Sequence, residues 1–430
     1  FGTAFRMIRA ETGLSQQKLG ELIGFEQRRV SEIERGLRNL RDIRLVAQVT
    51  TRLGIPPVML GFGTPATVGH AGAINGQRGS WMDRRNFVGQ VAGIVMGMTA
   101  AGGVDVGRLT ALLPQTEPTG TRHVGVDDVA AIEQSAQAFS RVDFAQGSAF
   151  SRDAAVSHLQ SVLPLLNAQM TPQVRPRLHI ATGYLAMMAG WMSFEVRQHD
   201  AARQLWTIGL DVAHNTDDPQ SADLSAFLLY DMALQAVEVG RPDEALRLAQ
   251  IGQAAAFGEH QVSGTTGCAL AYIQARALAA QGAAAASNRA LSQTSAQFET
   301  ADQDNLPPWG GFLNEVALAS YQGSVHHALA LATGNQKAAN QSVNLLRTAV
   351  EGFGPEYARV RARYLPDLAG AHAIAGDTDV AVAVGHQALE AVQVVHSPRT
   401  RDKLQTLGTV LEPMNTSPGV AELRERLVAA

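Results

Sequence analysis

A single cysteine, Cys268, in 430 residues leaves no partner for an intrachain disulfide and excludes a zinc site built from cysteines. It lies in the small-residue run Gly267-Cys268-Ala269-Leu270, a setting for buried packing rather than reactivity. Lysine is scarce too: 3 of the 35 cationic residues are Lys and 32 are Arg. With the heavy use of Ala, Gly and Val, that bias matches a GC-rich coding sequence, such as an actinobacterial one. Long apolar runs are missing. The stretch Gly89–Ala101 is broken by glycines and too short to span a bilayer, so no membrane association is expected. Also missing are a phosphate-binding Gly-x-x-x-x-Gly-Lys-Ser/Thr, a His-Glu-x-x-His, a Gly-x-Ser-x-Gly and a dinucleotide fingerprint in a strand-rich context. These absences argue against an enzyme, and no cofactor or metal is expected.

What remains is a soluble globular composition, 46% hydrophobic and 17% charged, long enough for two or three domains. The net charge of −4 is unevenly spread. Residues 1–60 carry ten Lys or Arg against six Asp or Glu, so a basic head precedes an acidic remainder. That is the balance of a DNA-binding domain joined to one that does not bind DNA.

The head reads as helices in a tight arrangement. Residues 3–12 form a first helix that Gly13 stops. Ser15 then caps a second, with Leu19, Leu22 and Ile23 as its apolar stripe and Gly24 as its exit. Gly20 falls where a close crossing demands a small residue. In the third helix Val30 and Ile33 anchor to the core and leave Gln27, Arg28, Arg29, Ser31 and Glu32 outward. Such side chains suit the major groove: Arg bonds guanine O6 and N7, Gln pairs with adenine, and Glu accepts from cytosine N4.

The stretch Leu14–Gly36, with Leu45-Val46-Ala47 and Leu53-Gly54-Ile55-Pro56, resembles the Cro/phage-repressor (XRE) helix-turn-helix family. The resemblance covers about the first sixty residues. It implies Gln27, Arg28 and Glu32 as base readers, with Ser31 beside them. Gln16 would meet a phosphate and brace Gln27, and Arg29, Arg35, Arg38 and Arg41 would follow the DNA backbone. One departure is Gly20, where the family usually has alanine; it is expected to loosen its helix by roughly 1 kcal/mol.

Residues 61–125 read as a glycine-rich linker and a connecting helix. Within them Trp81-Met82-Asp83-Arg84-Arg85-Asn86-Phe87-Val88 imitates a twin-arginine export signal, but it follows a whole folded domain. A buried or interface helix is expected there, and a cytoplasmic protein.

From about residue 126 to 430 the chain is helix-compatible and repetitive. Segments beginning at Arg197, Gly240, Gly282, Gly334 and Gly376 align on one frame, at intervals of 43, 42, 52 and 42 residues. The residue five further on is always Ala or Ser, which permits close packing of two helices. This is the pattern of stacked helical hairpins. Gly240-Arg241-Pro242-Asp243-Glu244-Ala245-Leu246 and Ala186-Met187-Met188-Ala189-Gly190-Trp191 resemble parts of a tetratricopeptide (TPR) repeat. The expected fold is therefore all-α, a helix-turn-helix domain followed by a TPR-like α-solenoid. The longest interval holds Asp304-Asn305-Leu306-Pro307-Pro308-Trp309, a loop between hairpins.

The order of head, linker, Trp-x-x-Arg-Arg-x-Phe segment and repeat body resembles actinobacterial XRE regulators with C-terminal TPR domains, whose broader relatives include peptide-responsive quorum-sensing regulators. That resemblance implies a transcriptional regulator binding double-stranded DNA as a homodimer and sensing a peptide or small molecule. Signal contacts would come from first helices, where Tyr184, Trp191, Tyr230, Gln235, Gln274, Asn314, Tyr321, His327, Arg361 and Tyr364 sit; hairpin core is the alternative role for the aromatics. His326-His327 has no partner at metal-ligand spacing. The alternative function is a TPR scaffold for a protein partner, with DNA binding secondary.

Overall fold

A computed structural model describes residues 15–23, 25–35, 123–255, 262–414 and 417–429. The chain divides into two units, Phe1–Gly103 and Val104–Ala430. The helix expected over 3–12, Gly24, Arg38, Arg41 and the segment containing Arg84-Arg85 lie outside the described residues.

In the first unit α1 (Gln16–Ile23) and α2 (Gln27–Glu34) pack through Leu19, Val30 and Ile33, all fully buried. Ser15 Oγ accepts from the Lys18 amide at 3.2 Å, the cap that its position before the apolar stripe implies. The turn between the helices is drawn in by the Phe25 amide, which donates to the Gly20 carbonyl at 2.7 Å. A Cβ at position 20 would stand 2.4 Å from the Phe25 carbonyl oxygen. Gly20 thus does more than loosen its helix: this turn has no room for a methyl group.

The second unit opens with α3 (Val126–Gln146) and α4 (Arg152–Val162), followed by a 3-10 turn at Leu163–Asn167. Helical hairpins follow: α5 (Val174–Glu195) with α6 (His199–His214), α7 (Gln220–Glu238) with α8 (Pro242–Ala255), and α9 (Gly264–Ala280) with α10 (Ala284–Glu299). Then come α11 (Glu315–Thr333) with α12 (Gln336–Gly352), α13 (Ala358–Ala375) with α14 (Thr378–Gln393), and the closing helices α15 (Pro398–Leu411) and α16 (Pro418–Ala429). The described residues are all-α, with one isolated bridge pair and no strand, and none of their helices is long and apolar enough to cross a membrane.

The repeat frame read from sequence coincides with the backbone. Each of its five starting residues is the left-handed turn residue of a hairpin: Arg197 (φ 65°), Gly240 (77°), Gly282 (73°), Gly334 (66°) and Gly376 (97°). Five residues on, Ala202, Ala245, Ser287, Ala339 and Ala381 are fully buried where the two helices meet. Nothing lies within 4 Å of where a Cβ on Gly240 would stand, so Gly240→Ala pays only the left-handed backbone term. We expect a loss of about 1 kcal/mol and a melting point lower by roughly 2–4 °C, read by circular dichroism. An unchanged midpoint would show that the turn does not depend on that conformation.

First helices stack on one another, α5 on α7, α7 on α9, α9 on α11 and α11 on α13, with the second helices outside them. Flanked on several sides, α5, α7 and α13 are buried around nearly their whole circumference. This inner layer closes on itself, because α13 packs against α3 and α15 against α5. The His396 amide donates to the Gln146 carbonyl at 2.8 Å and completes the closure.

Candidate DNA interface and interior cavity

Gln27 and Arg28 are exposed at the start of α2, with Glu32 half-buried one turn on. Arg28 Nε donates to Glu32 Oε1 at 3.1 Å, so two expected base readers are held together on one face. Arg29 lies with its guanidinium carbon 4.2 Å from the Phe25 ring centroid, Ser31 is half-buried, and Arg35 is exposed with its Nε on the Ser31 carbonyl. Gln16 differs from expectation in its partner: its amide donates to Glu34 at 2.7 Å, so it braces the end of α2 and not Gln27.

In the second unit the closed inner layer surrounds a cavity of about 370 Å³. All six tyrosines of the chain, Tyr184, Tyr230, Tyr272, Tyr321, Tyr357 and Tyr364, are on its wall, with Trp191, Trp309, Phe144, Phe227 and Phe312. Tyr272 and Tyr321 stack at 3.9 Å, and the Tyr230 and Tyr321 hydroxyls are 3.1 Å apart. The Tyr184 hydroxyl, pushed up to about 12 by burial, donates to the Pro308 carbonyl. Trp309 is anchored by its indole N–H on Asp223 Oδ2 at 2.8 Å. The loop that interrupts the repeat spacing is therefore part of the wall.

One side of this wall is ionic. Arg359 donates to Asp143 Oδ2 at 2.6 Å and to Glu195 Oε1 at 3.3 Å. Arg399 bonds Glu195 and takes Glu238 with two nitrogens at 2.6 and 2.7 Å. Its guanidinium lies 4.3 Å from the Phe194 ring centroid and 5.0 Å from that of Trp191. Arg363 also binds Glu238, and Arg276 stands 3.5 Å from it. Burial alone would raise Glu195, but Arg359, Arg399 and Ser397 hold it down to about 2. Glu238 is likewise held well below the usual carboxylate range by its arginines, against its burial.

Of the residues expected to contact a signal, the structure brings Tyr184, Trp191, Tyr230, Tyr321 and Tyr364 together on the cavity wall. The others it places elsewhere. Gln235 joins Arg203 to the His199 carbonyl, Gln274 accepts from Gln253, and Asn314 caps α11. His327 faces Asp367 at 3.7 Å, and Arg361 is exposed. Sequence reasoning missed Asp143, Asp231, Arg359, Arg363 and Arg399, which line the cavity. It also missed a signal for their partners: Glu195 and Glu238 each stand two residues before a turn residue of the repeat frame.

A tight helix-turn-helix with an exposed Gln27-Arg28 face is carried by a chain whose other unit is a stack of helical hairpins, the architecture of a helix-turn-helix protein with a repeat body. Residues 1–60 match the family model described as a helix-turn-helix domain. Among solved structures, the chain is similar to the crystal structure of Bacillus thuringiensis PlcR in complex with the peptide PapR7 and DNA. That similarity is 14% in identity, covers 82% of this chain and 96% of that one, and has a TM-score of 0.27. No curated protein matches.

Proposed function

We propose that the chain is a sequence-specific transcriptional regulator of the XRE type whose TPR-like body senses a small molecule and pairs two copies on DNA. In this reading residues 1–60 bind DNA, 61–125 connect, 126–430 receive the signal, and the protein works in the cytoplasm. The observation that carries it is the aromatic cavity inside a repeat body joined to a DNA-binding head. Its volume suits one drug-sized molecule, which favours a small molecule over an extended peptide.

Gln27, Arg28 and Glu32 read bases, with Ser31 beside them, while Arg29, Arg35, Arg38 and Arg41 hold phosphates. Gln16 acts by fixing Glu34 at the end of the recognition helix. Selection of bound DNA from random oligonucleotides, at several salt concentrations, tests this directly. We expect two half-sites about 34 Å apart, protected by a dimer. A monomer both free and on DNA would overturn the pairing. Arg28→Ala should weaken binding by about 1–3 kcal/mol and relax preference at one base pair. Equal weakening on every sequence would make Arg28 a phosphate contact. Repeating the selection with a small-molecule extract should change affinity or half-site spacing; an unchanged result across extracts counts against sensing.

A further inference from the structure

Among the buried polar side-chain atoms of the residues that line the cavity, two have no partner. Asp143 accepts from Ser148, Trp191 and Arg359, and Arg359 and Arg399 spend their nitrogens on carboxylates and a carbonyl. By contrast, Asp231, only 2% exposed, has an Oδ2 with no hydrogen-bond partner, and buried Arg363 has an unpartnered Nε. Both side chains line the cavity. An unsatisfied buried polar atom is costly, so two on one wall mark a place for something to bind.

The charge around them sets the sign of what binds. Four buried guanidiniums, Arg276, Arg359, Arg363 and Arg399, share three carboxylates, Asp143, Glu195 and Glu238. Asp231, unlike Asp143 on Arg359, has no guanidinium bonded to it, and burial pushes its carboxyl well above the usual range, against the pull of Arg399. A buried carboxyl without a bonded cation favours its neutral form, so the guanidiniums outnumber the carboxylates paired with them, and in a low-dielectric interior a cation is repelled and a monoanion held. A neutral Asp231 carboxyl and the Arg363 Nε–H, both without partners, are donors, and a carboxylate is an acceptor only. Exposed Arg141 and Gln137 on α3 and exposed Gly311 of the wall loop also line the cavity, so a further cation stands at it.

The remaining wall is aromatic. Tyr184, Tyr230, Trp191 and Trp309 offer ring faces and edges to a flat body, and their polar atoms bond within the protein. We propose that the cavity is a receptor site for an aromatic small molecule with one carboxylate, whose acid end is held by Asp231 and Arg363 and whose rings lie among the tyrosines. The proposal rests on the sensor reading above and gives its ligand a chemical class.

The test uses the full chain and three anthracene probes of one shape: the 2-carboxylate, the uncharged 2-carboxamide and the cationic 2-aminomethyl compound. Binding is followed by probe fluorescence and by quenching of tryptophan emission. The carboxylate should saturate the site at least about tenfold more tightly than the carboxamide, and the cation should not bind. Asp231→Leu should weaken the carboxylate by about tenfold, while Asp231→Asn, which keeps a donor, should retain most of its affinity. Both variants are checked for an unchanged far-ultraviolet circular dichroism spectrum. Equal binding of carboxamide or cation, or a carboxylate affinity indifferent to Asp231→Leu, overturns the acid class and leaves the sensor reading standing. Failure of all three probes to bind overturns the aromatic receptor and removes the main support of that reading with it.

Discussion

Replacing Arg399 by alanine is expected to destabilise the helical body by about 3–5 kcal/mol, seen as a lower urea midpoint followed by tryptophan fluorescence. Arg399 sits on α15 and reaches Glu195 at the end of α5 and Glu238 at the end of α7. It therefore ties a late helix to the first two hairpins. Its loss takes two hydrogen bonds from buried Glu238 and one from buried Glu195. Glu195 keeps Arg359 and Ser397, and Glu238 keeps Arg363 and Arg276, so the cost stays below that of wholly bare charges. The packing of the guanidinium on Phe194 and Trp191 is lost as well. The double variant Arg399→Ala/Glu238→Gln should recover part of the loss, because it removes the carboxylate that loses two charge-assisted hydrogen bonds. A single-variant change below about 1 kcal/mol would show that the closure of the inner layer does not depend on this network.

The hairpins were legible because a helical turn of this kind makes two local demands, a residue that tolerates positive φ and a small residue five positions later. Glycine meets the first demand at four of the five turns, and the Ala202 spacing reveals the fifth, where Arg197 takes the conformation and pairs with Asp402 at 3.1 Å. The recognition helix was legible for a similar reason, since buried Val30 and Ile33 fix which face Gln27 and Arg28 present. The cavity was less so. Its tyrosines could be placed on first helices, yet whether they filled a core or lined a space depends on how α3 and the loop around Trp309 close the layer. The ionic wall was hidden because Glu195, Glu238 and Arg363 look like residues of solvated helix faces. A helix flanked by neighbours on several sides has no such face, and its charges must pair inside. Knowing that α5, α7 and α13 are inner helices would have turned each charged residue on them into a site candidate.

Acid should unfold the helical body in two separable windows. Burial lowers His327, with help from Lys403 and Arg276 and against the pull of Asp367, from 6.5 to about 4. Between those values the unfolded chain binds a proton that the folded chain refuses, so stability is complete above pH 6.5 and falls as the pH drops toward 4. The difference corresponds to about 3 kcal/mol. His179, His199 and His326 are also held below their ordinary value, chiefly by burial, and act in the same direction. Glu195 governs the second window. Its arginines hold it at about 2 against an ordinary 4.5, so its contribution, again about 3 kcal/mol, is present above pH 4.5 and disappears as the pH falls through 2. Asp143, Asp211, Asp231 and Asp402, raised by burial, oppose the first window, so the histidine share is read as the difference in urea midpoint between the wild type and His327→Gln from pH 7.5 to 3. His327→Gln removes the largest titration of the first window and should flatten the limb between pH 6.5 and 4.5 while leaving the limb below 4 unchanged. A wild-type limb retained in that variant would mean that the histidine stays neutral for some reason other than its burial against Gly370 between α11 and α13. The second limb belongs to the cavity wall, since protonating Glu195 takes a charged partner from both Arg359 and Arg399.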